Sequence, residues 1–278
     1  MNVLSLFDGM SCGQLALERA GIKVDNYFAS EVDKYAIKIA MKNYPNTIQL
    51  GDVRNVHAKD LPRIDLILAG SPCQGFSIAG KGLAFDDPRS VLFFEFVRLV
   101  NELPESHFVL ENVKMKKIYR DMITFFLKTA PVMINSALVS GQNRPRLYWS
   151  SFNFPLPENK GIDCKDIINW FDIKPNTDGW HKWWENQKEK QLRKSYCGIL
   201  NTRGKSICQT SRQMATWAGN LVDLGDGKMR FASPIECERL QTVPDNYTLG
   251  VSKRQRYKML GNGWTADVVA HILRHLPT

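Results

Sequence analysis

The stretch that decides the fold is NVLSLFDGMSCGQLALERA, residues 2–20, in which a glycine turn joins an apolar run to an amphipathic one. The run Asn2–Phe7 predicts a short strand, and the apolar spacing of Gly13–Ala20 predicts a helix. Glycine in the turn lets a ligand approach the backbone closely. The turn lacks the full G-x-G-x-x-G of nicotinamide enzymes, so on its own it indicates a nucleotide site only weakly.

The same alternation of strands and helices continues through the first half of the chain. Further predicted strands are Tyr27–Ser30, Ile64–Ala69, His107–Leu110, Val132–Val139 and Arg146–Phe152, and further predicted helices are Asp33–Asn43, Val91–Asn101, Ile118–Thr129 and, at the end of the chain, Thr265–Leu276. This pattern predicts an α/β fold with a doubly wound sheet. Ligands of such sheets bind outside the carboxyl ends of the strands, so the residues that follow each strand are the site candidates.

The composition changes after Phe154, where polar, basic and tryptophan-rich sequence predicts a second, smaller domain. Its aromatic cluster, Trp180, Trp183 and Trp184, either stacks on a partner molecule or packs a domain with little other core, and we favour packing. The 37 lysine and arginine residues exceed the 28 acidic ones and give a net charge of +9. This excess favours a polyanionic partner, although a merely basic protein would show it as well.

The remaining composition narrows the class of protein. The six cysteines form no C-x-x-C pair, so we expect neither a zinc site nor a disulfide framework. The first residues lack the basic and apolar regions of a signal peptide. No run approaches the ~20 apolar residues of a membrane helix. We therefore expect a cytoplasmic protein with no metal and no membrane partner.

Carboxylates follow the second and third predicted strands. Glu31 is placed to hold ribose hydroxyls, or else is a solvated surface residue. Asp52 is placed to accept a hydrogen bond from an adenine amine, or else caps the next turn. These residues alone leave both alternatives open.

The fourth strand is followed by Ser71-Pro72-Cys73-Gln74, a constrained loop at the carboxyl end of the sheet. Cys73 is well placed there to be a nucleophile, although a small buried residue is the commoner role of a lone cysteine. Glu111 follows the neighbouring strand and would lie beside this loop. Arg144 and Arg146 are two residues apart and would point to one side, towards an anion or a carbonyl.

Taken in order, these motifs resemble the cytosine-5 DNA methyltransferases from end to end. The ordered set is Phe7-Asp8-Gly9…Gly13, Glu31, Asp52, Ser71-Pro72-Cys73-Gln74, Glu111-Asn112-Val113, Gln142-x-Arg144-x-Arg146, Glu238-Arg239-Leu240-Gln241 and Gly261-Asn262-Gly263. The Ser-Pro-Cys form, Trp264 and the short region before Glu238 resemble the catalytic domain of vertebrate de novo enzymes. The common bacterial form has a longer recognition region, so the resemblance carries no sequence specificity over.

The resemblance implies a Rossmann-like S-adenosylmethionine-dependent methyltransferase sheet, with the final strand antiparallel and a smaller target-recognition domain inserted. Residues 1–154 with 259–278 would form the catalytic, cofactor-binding domain, and residues 155–258 the recognition domain. The expected partner is duplex DNA, held in the cleft by a monomer, with a homo-oligomer left open. We expect the protein to lie in the cytoplasm of a bacterial or phage-infected cell and to associate with the nucleoid.

The resemblance also implies transfer of a methyl group to carbon 5 of cytosine through a covalent adduct with Cys73. Cysteine suits this step because its thiolate is a strong nucleophile and also a good leaving group. Glu111 would hold a proton against N3 and the exocyclic amine, and Arg146 would donate to the base carbonyl. Arg144 would brace the loop or contact a backbone phosphate.

The implied cofactor is S-adenosyl-L-methionine, which leaves as S-adenosyl-L-homocysteine. Phe7 would stack on the adenine, and the loop through Asp8, Gly9 and Gly13 would approach the methionine part. The implied polar contacts are Glu31 to the ribose and Asp52 to the adenine amine. Further expected pocket residues are Val53, Pro72, Leu92, Asn262 and Trp264.

The target base must be flipped out, because it is unreachable inside a duplex. The glycine-rich segment Gln74–Arg89 is interpreted as a mobile loop over the flipped base, with an ordinary surface loop as the alternative. The expected DNA-binding residues are Gln74, Ser77, Lys81, Arg89, Arg203, Lys205, Arg212, Lys253 and Arg254, with Arg256 beside them. Arg203 and Arg212 either read bases or contact the backbone.

Two rival functions fit the same region of sequence. An RNA methyltransferase of this fold, acting on transfer RNA, would carry Pro-Pro-Cys and Cys-Phe-Thr segments, whereas this chain has Ser71-Pro72-Cys73 and no Cys-Phe-Thr. A homologue that only binds DNA would have lost its catalytic groups, whereas Cys73, Glu111, Arg144 and Arg146 are intact. The motifs do not distinguish a restriction–modification enzyme from an orphan one.

Overall fold

The structure is a computed structural model that describes residues 1–71, 91–169, 198–200, 204–213, 219–226 and 228–277. Its strands are β1 (Asn2–Leu6), β2 (Asn26–Ser30), β3 (Ile48–Gln49), β4 (Leu66–Ala69), β5 (His107–Val113), β6 (Val132–Asn135), β7 (Pro145–Ser150), β8 (Gly198–Ile199), β9 (Asn220–Gly225) and β10 (Lys228–Phe231). Its helices are α1 (Cys12–Ala20), α2 (Lys34–Asn43), α3 (Val91–Glu102), α4 (Lys117–Leu127), α5 (Pro234–Leu240), α6 (Lys253–Asn262) and α7 (Ala266–Leu273). Alternation of strands and helices confirms the predicted α/β class.

Seven strands form one sheet in the order β3-β2-β1-β4-β5-β7-β6. β1 is parallel to β2 and β4, and β4 is parallel to β5, whereas β7 runs antiparallel to β5. The predicted sheet and its antiparallel final strand are therefore confirmed. Every residue of β4 is buried, which explains why this strand is a continuous apolar run without polar alternation.

The register of the parallel strands brings their carboxyl ends to one level. Leu6 is paired with Ser30 on β2 and with Ala69 on β4, and Ala69 is paired with Leu110 on β5. The glycine turn after β1 and the segments after β2 and β4 all start from this edge. Ligands of doubly wound folds bind at this edge, so the sheet collects the candidate site residues there.

Two predicted strand ends differ from the structure by three or more residues. β5 continues to Val113 rather than stopping at Leu110, because its extension pairs with β7 through Glu111↔Tyr148 and Val113↔Arg146. β6 stops at Asn135 rather than at Val139. The Asn135 carboxamide oxygen accepts a hydrogen bond from the Ala137 nitrogen at 3.0 Å and so caps a 3-10 helix that follows.

Large apolar side chains hold the sheet against α3 and α4. Phe93 and Phe96 on α3 are buried, and the Phe96 ring packs edge-on against Phe108 of β5 at 5.9 Å between centroids. Trp149 on β7 is fully buried, and its Nε1 donates to Thr124 Oγ1 of α4 at 3.0 Å. Burying a side chain such as Phe contributes about 1.5–3 kcal/mol, so this packing fixes the edge that carries the site.

The chain divides into two compact units. Unit 1 comprises Met1–Ile134, Pro145–Leu156 and Val269–Thr278, and contains β1, β2, β4, β5 and β7. Unit 2 comprises Asn135–Arg144 and Pro157–Val268. Its described part contains α5, α6 and a three-stranded sheet in the order β10-β9-β8.

Two absences hold for the described residues. No helix among them is both long enough and apolar enough to cross a membrane. Within the same ranges, no group of three or more His, Cys, Asp or Glu side chains is arranged to hold a metal ion.

Candidate active site

The loop after β1 is a tight turn with three residues in the left-handed backbone region. Phe7 has a φ of 59°, Gly9 of 62° and Ser11 of 64°. Glycine adopts this region freely, but Phe7 and Ser11 do so with strain, which is concentrated at functional sites. α1 then begins at Cys12 without a side-chain cap from Ser11. A turn that leads into an uncapped helix start offers backbone N–H groups to a ligand.

Glu31 ties this loop to the end of β2. One carboxylate oxygen, Oε2, accepts a hydrogen bond from the Gly9 nitrogen at 2.8 Å. The other oxygen accepts from the Val32 and Asp33 nitrogens at 2.7 and 2.8 Å. Glu31 is therefore an organised part of the loop and not a solvated surface residue. Its position beside the turn is the one expected for a ribose contact.

Asp8 is partly buried, and its carboxylate turns back from the loop towards β1 and β2. Its Oδ1 accepts hydrogen bonds from Ser5 Oγ and from the Tyr27 hydroxyl, both at 2.7 Å. Its Oδ2 is buried and has no hydrogen-bond partner among the described residues. Burial is the largest cause that raises the pKa of Asp8, from 3.8 to about 6, and the negative charge of Glu31 raises it further. The hydrogen bonds from the hydroxyl groups lower the pKa and offset part of this rise.

Asp52 caps the 3-10 helix Val53–Asn55. Its Oδ1 accepts hydrogen bonds from the Arg54 backbone nitrogen and from Arg54 Nε, both at 3.0 Å. These bonds lower the pKa of Asp52 to about 2, with the side-chain bond as the larger cause. The capping alternative is thus present, and an adenine amine would have to share this carboxylate with Arg54. Val53 is buried in the core, and Leu92 packs partly buried against the same core.

Glu111 and Arg146 form an ion pair across β5 and β7. Glu111 lies opposite Tyr148 and Arg146 lies opposite Val113, so the two side chains share one face as a diagonal pair. Arg146 Nε lies 2.9 Å from Glu111 Oε1, and only 12% and 11% of the respective side chains are exposed. The structure therefore brings together the two residues predicted to hold the base.

Asn112 points to the other face of β5 and contacts the segment after β4. Its Nδ2 donates to Ser71 Oγ at 3.1 Å, and both residues are buried. Ser71 is the last described residue before the segment that carries the predicted nucleophile. The predicted residues Pro72, Cys73, Gln74, Ser77, Lys81 and Arg89 lie outside the described residues, as does Arg203.

Arg144 braces unit 2 from inside. Its guanidinium donates to the carbonyl oxygens of Gln209, Gly261 and Gly263 at 2.9, 3.0 and 2.9 Å, and only 2% of the residue is exposed. Of its two predicted roles, the loop brace is the one that this geometry fills. The predicted pocket residues of the same loop differ in exposure: Asn262 is exposed and Trp264 is partly buried.

A buried amide network continues this brace, and it was not predicted from the sequence. Gln142 Nε2 donates to Gln241 Oε1 at 3.2 Å, and the Gln209 nitrogen donates to Gln142 Oε1 at 2.8 Å. Gln241 Nε2 donates in turn to the Leu260 carbonyl at 2.6 Å. Gln142 and Gln241 both belong to motifs of the family resemblance, and this membership was the sign in the sequence that the two residues have a role. Their roles required the three-dimensional contacts.

Lys205 faces the protein interior rather than solvent. Its ammonium donates to the carbonyl oxygens of Ala137, Ser140 and Ile162 at 2.8, 3.0 and 2.5 Å. These three bonds use all three N–H groups of the ammonium. Lys205 was predicted to contact DNA, and a phosphate would have to displace these bonds. We therefore leave it out of the proposed DNA contacts.

The other described basic candidates divide by exposure. Arg212, Lys253 and Arg254 are exposed. Arg256 is instead buried, where its Nη2 donates to Glu238 Oε1 at 2.8 Å. Lys253 and Arg254 open the first turn of α6, which contains no acidic residue. Positive charge at a helix start is unfavourable unless an anion binds, so this turn is suited to a phosphate.

Comparison with known proteins identifies the family. A family model for C-5 cytosine-specific DNA methylases matches residues 1–136 and 144–278. The chain is 30% identical over 288 residues to the type II methyltransferase M1.ScrFI of Lactococcus lactis subsp. cremoris, a match that covers 94% of this chain and 74% of that protein. It is 28% identical over 311 residues to the type II methyltransferase M.HhaI of Haemophilus parahaemolyticus, covering 98% and 93%.

Solved structures with a similar fold include the methyltransferase EhMeth of Entamoeba histolytica, with a TM-score of 0.76, 18% identity and coverage of 99% and 97%. The Dnmt2 methyltransferase of S. pombe has a TM-score of 0.74 and 17% identity, with coverage of 99% and 98%. These low identities establish the fold alone. The family model, by contrast, spans both units, and the Lactococcus relative matches almost all of the chain. The chain therefore belongs to the C-5 cytosine-specific DNA methylase family.

Proposed function

We propose that this enzyme transfers a methyl group from S-adenosyl-L-methionine to carbon 5 of a flipped cytosine in duplex DNA, through a covalent adduct with Cys73. The observation that carries the proposal is the Glu111–Arg146 pair, with 2.9 Å between its charged atoms. This pair lies at the carboxyl-end edge of the sheet. Ser71 follows β4 at the same edge, and Cys73 is two residues further along the chain. A carboxyl and a guanidinium on one face match the donor and acceptor pattern of a cytosine edge.

The first loop fits the proposed cofactor. Glu31 holds the Gly9 nitrogen in place and keeps a carboxylate beside the loop. The buried and unpartnered Asp8 Oδ2 supplies negative charge near a ligand that carries positive charge. S-adenosyl-L-methionine, when bound, supplies an electrophilic methyl group. We assign Glu31 to the ribose from its place beside the loop, and Phe7 to the adenine from its place in the first motif of the family.

The reaction begins when the Cys73 thiolate adds to carbon 6 of the cytosine, which makes carbon 5 nucleophilic. A proton taken up from solvent as the base binds is shared between Glu111 and N3, and Arg146 donates a hydrogen bond to the carbonyl oxygen. Both interactions offset the negative charge that develops on the ring. After methyl transfer, the carbon 5 proton leaves to solvent. The sulfur is then expelled, and the ring regains its double bond.

DNA binding is assigned to unit 2. Lys253 and Arg254 are exposed at the start of α6, and Arg212 is exposed as well. Phosphate contacts position the duplex, whereas base contacts give specificity. We assign the two α6 residues to phosphates and leave Arg212 as a base reader or a backbone contact. Because the curated relatives named above come from bacteria, we place the enzyme in bacterial cytoplasm.

A covalent trap tests the proposal. In the test duplex, 5-fluorocytosine replaces the target cytosine, so carbon 5 carries fluorine instead of hydrogen. Because fluorine cannot leave as a proton does, the sulfur is not expelled and the covalent adduct persists. With S-adenosyl-L-methionine, the wild type should give a protein–DNA band that survives denaturation, and Cys73→Ser should give none. Labelling of total RNA and no labelling of duplex DNA would instead establish the RNA methyltransferase alternative.

A further inference from the structure

The carboxylate of Asp8 is buried without a compensating cation among the described residues. The groups that face it there are Ser5 on β1, Tyr27 on β2, Ser11 before α1 and Glu31 after β2. The first three offer neutral hydroxyls, and Glu31 carries a second negative charge. On α1, the neutral Gln14 donates through its Nε2 to Ser11 Oγ at 2.8 Å.

A buried carboxylate without a cation is costly, and two events relieve that cost. The group takes up a proton, or a positively charged ligand binds beside it. Oδ1 is satisfied by hydroxyls, but Oδ2 has no partner within the described ranges. The fold therefore leaves unbalanced negative charge in the loop that is proposed to meet the cofactor.

The two forms of the cofactor differ in charge at one atom. S-adenosyl-L-methionine carries a sulfonium, and methyl transfer converts that sulfur into a neutral thioether. The ammonium and carboxylate of the methionine part are common to both forms. Unbalanced negative charge near the loop therefore distinguishes the two forms by Coulomb attraction.

We infer that Asp8 makes the cofactor site selective for positive charge, so that it binds the sulfonium form more tightly than the thioether product. This inference rests on the proposed function and deepens it, because it assigns Asp8 to the choice between cofactor and product. Release of the product is then favoured by the reaction itself, since methyl transfer removes the charge that Asp8 attracts.

Calorimetric titration of the whole protein tests the inference without turnover. The probes are S-adenosyl-L-methionine, S-adenosyl-L-homocysteine and sinefungin, which carries an amine in place of the sulfonium. In Asp8→Asn, the ratio of thioether to sulfonium dissociation constants should fall about tenfold, as expected for loss of one partly screened charge interaction. Sinefungin should follow the sulfonium ligand. The control Asp25→Asn removes an exposed carboxylate and should leave the ratio unchanged.

The wild type provides a second arm that needs no variant. Between about pH 7 and about pH 5, Asp8 takes up its proton, so the ratio should fall in the wild type and stay flat in Asp8→Asn. The ammonium stays positive in both ligands over this range. Equal weakening of all three ligands in Asp8→Asn, or a ratio that does not depend on pH in the wild type, would overturn the inference. Failure of the wild type to bind any of the three would overturn the proposed function instead.

Discussion

Asp8 also links the stability of the protein to pH. Burial is the main cause that raises its pKa from 3.8 to about 6. A carboxyl with a higher pKa in the folded state stabilises the fold below about pH 4, and that contribution is lost as the pH rises through about 6. The difference between the two pKa values corresponds to at most about 3 kcal/mol of free energy of unfolding.

Asp8→Asn should therefore be more stable than the wild type near pH 8. Asparagine has a similar shape and no charge, so the gain should shrink towards pH 5. Thermal unfolding without ligand, followed by circular dichroism from pH 5 to pH 8, measures this difference. Asp25→Asn is the control, because its exposed carboxylate pairs with the Met1 amino group and its removal should give no gain at pH 8. A variant that is less stable by the same amount at every pH would contradict the prediction.

Cys73→Ser should abolish methyl transfer to duplex DNA and leave cofactor binding intact. A hydroxyl near neutral pH is a far weaker nucleophile than a thiolate, whereas the thiol is not needed to hold the cofactor. Single-turnover labelling of DNA measures the transfer, and calorimetry measures the cofactor affinity. Turnover close to that of the wild type would rule out Cys73 as the nucleophile.

Single residues show where prediction from sequence ends. Glu31 was named from its position after the second predicted strand, and Asp8 from the order of the motifs. The hydrogen bond from Tyr27 to Asp8 was not foreseen, because it depends on the left-handed backbone at Phe7 that turns the carboxylate back towards β2. Lys205 was assigned to DNA from local charge density, yet its ammonium bonds three carbonyls from distant segments.

At the scale of elements, the types of structure were predictable and some of their ends were not. Apolar runs located the main strands of the large sheet, and helical spacing located the helices that connect them. The end of β5 was missed because Glu111 and Asn112 have the polarity of loop residues. In the structure, pairing with β7 keeps them in the strand, and this antiparallel pairing also sets Glu111 beside Arg146.

α6 packs closely on a neighbouring backbone at Gly261. A Cβ atom there would lie 2.1 Å from the Thr210 carbonyl carbon and 2.3 Å from the Ser211 nitrogen. Backbone atoms cannot move aside as a flexible side chain can. Gly261→Ala should therefore lower the free energy of unfolding by about 3 kcal/mol or more, since overpacking of this kind displaces the backbone.

Chemical denaturation of Gly261→Ala measures that decrease. The matched control is Gly204→Ala, where the nearest atom to an added Cβ is Asp163 Oδ2 at 3.6 Å, an ordinary contact. Its effect should be within about 1 kcal/mol of the wild type. Equal stability of the two variants would show that α6 is not held in this close contact.

For the whole molecule, net charge indicated a polyanionic partner but not the residues that bind it. The +9 charge is a sum over the chain, and burial decides which basic groups remain for DNA. Arg144, Lys205 and Arg256 bond groups within the protein, whereas Lys253 and Arg254 are exposed. The composition shift after Phe154 predicted a second domain, but which of its cations face solvent depends on the folded structure.

Neutralising the start of α6 should reduce the salt dependence of DNA binding. If Lys253 and Arg254 each bind one phosphate, Lys253→Gln or Arg254→Gln should flatten the slope of log K against log salt by about 0.9. Binding should weaken alike for all duplex sequences. Fluorescence anisotropy across a salt series measures the slope. Lys59→Gln, an exposed change in unit 1, should leave it unaltered, and an unchanged slope in both α6 variants would exclude them as phosphate ligands.

The discontinuous make-up of unit 1 has a consequence for biosynthesis. A ribosome releases the chain from its amino end, so the unit lacks its last segment until residues from Val269 onward have emerged. Within that segment, Arg274 donates to the Arg19 carbonyl at the end of α1 at 3.0 Å, a closure between residues 255 positions apart. The nascent polypeptide therefore cannot complete this unit until the segment from Val269 onward has left the ribosome, long after β1 and α1 have emerged.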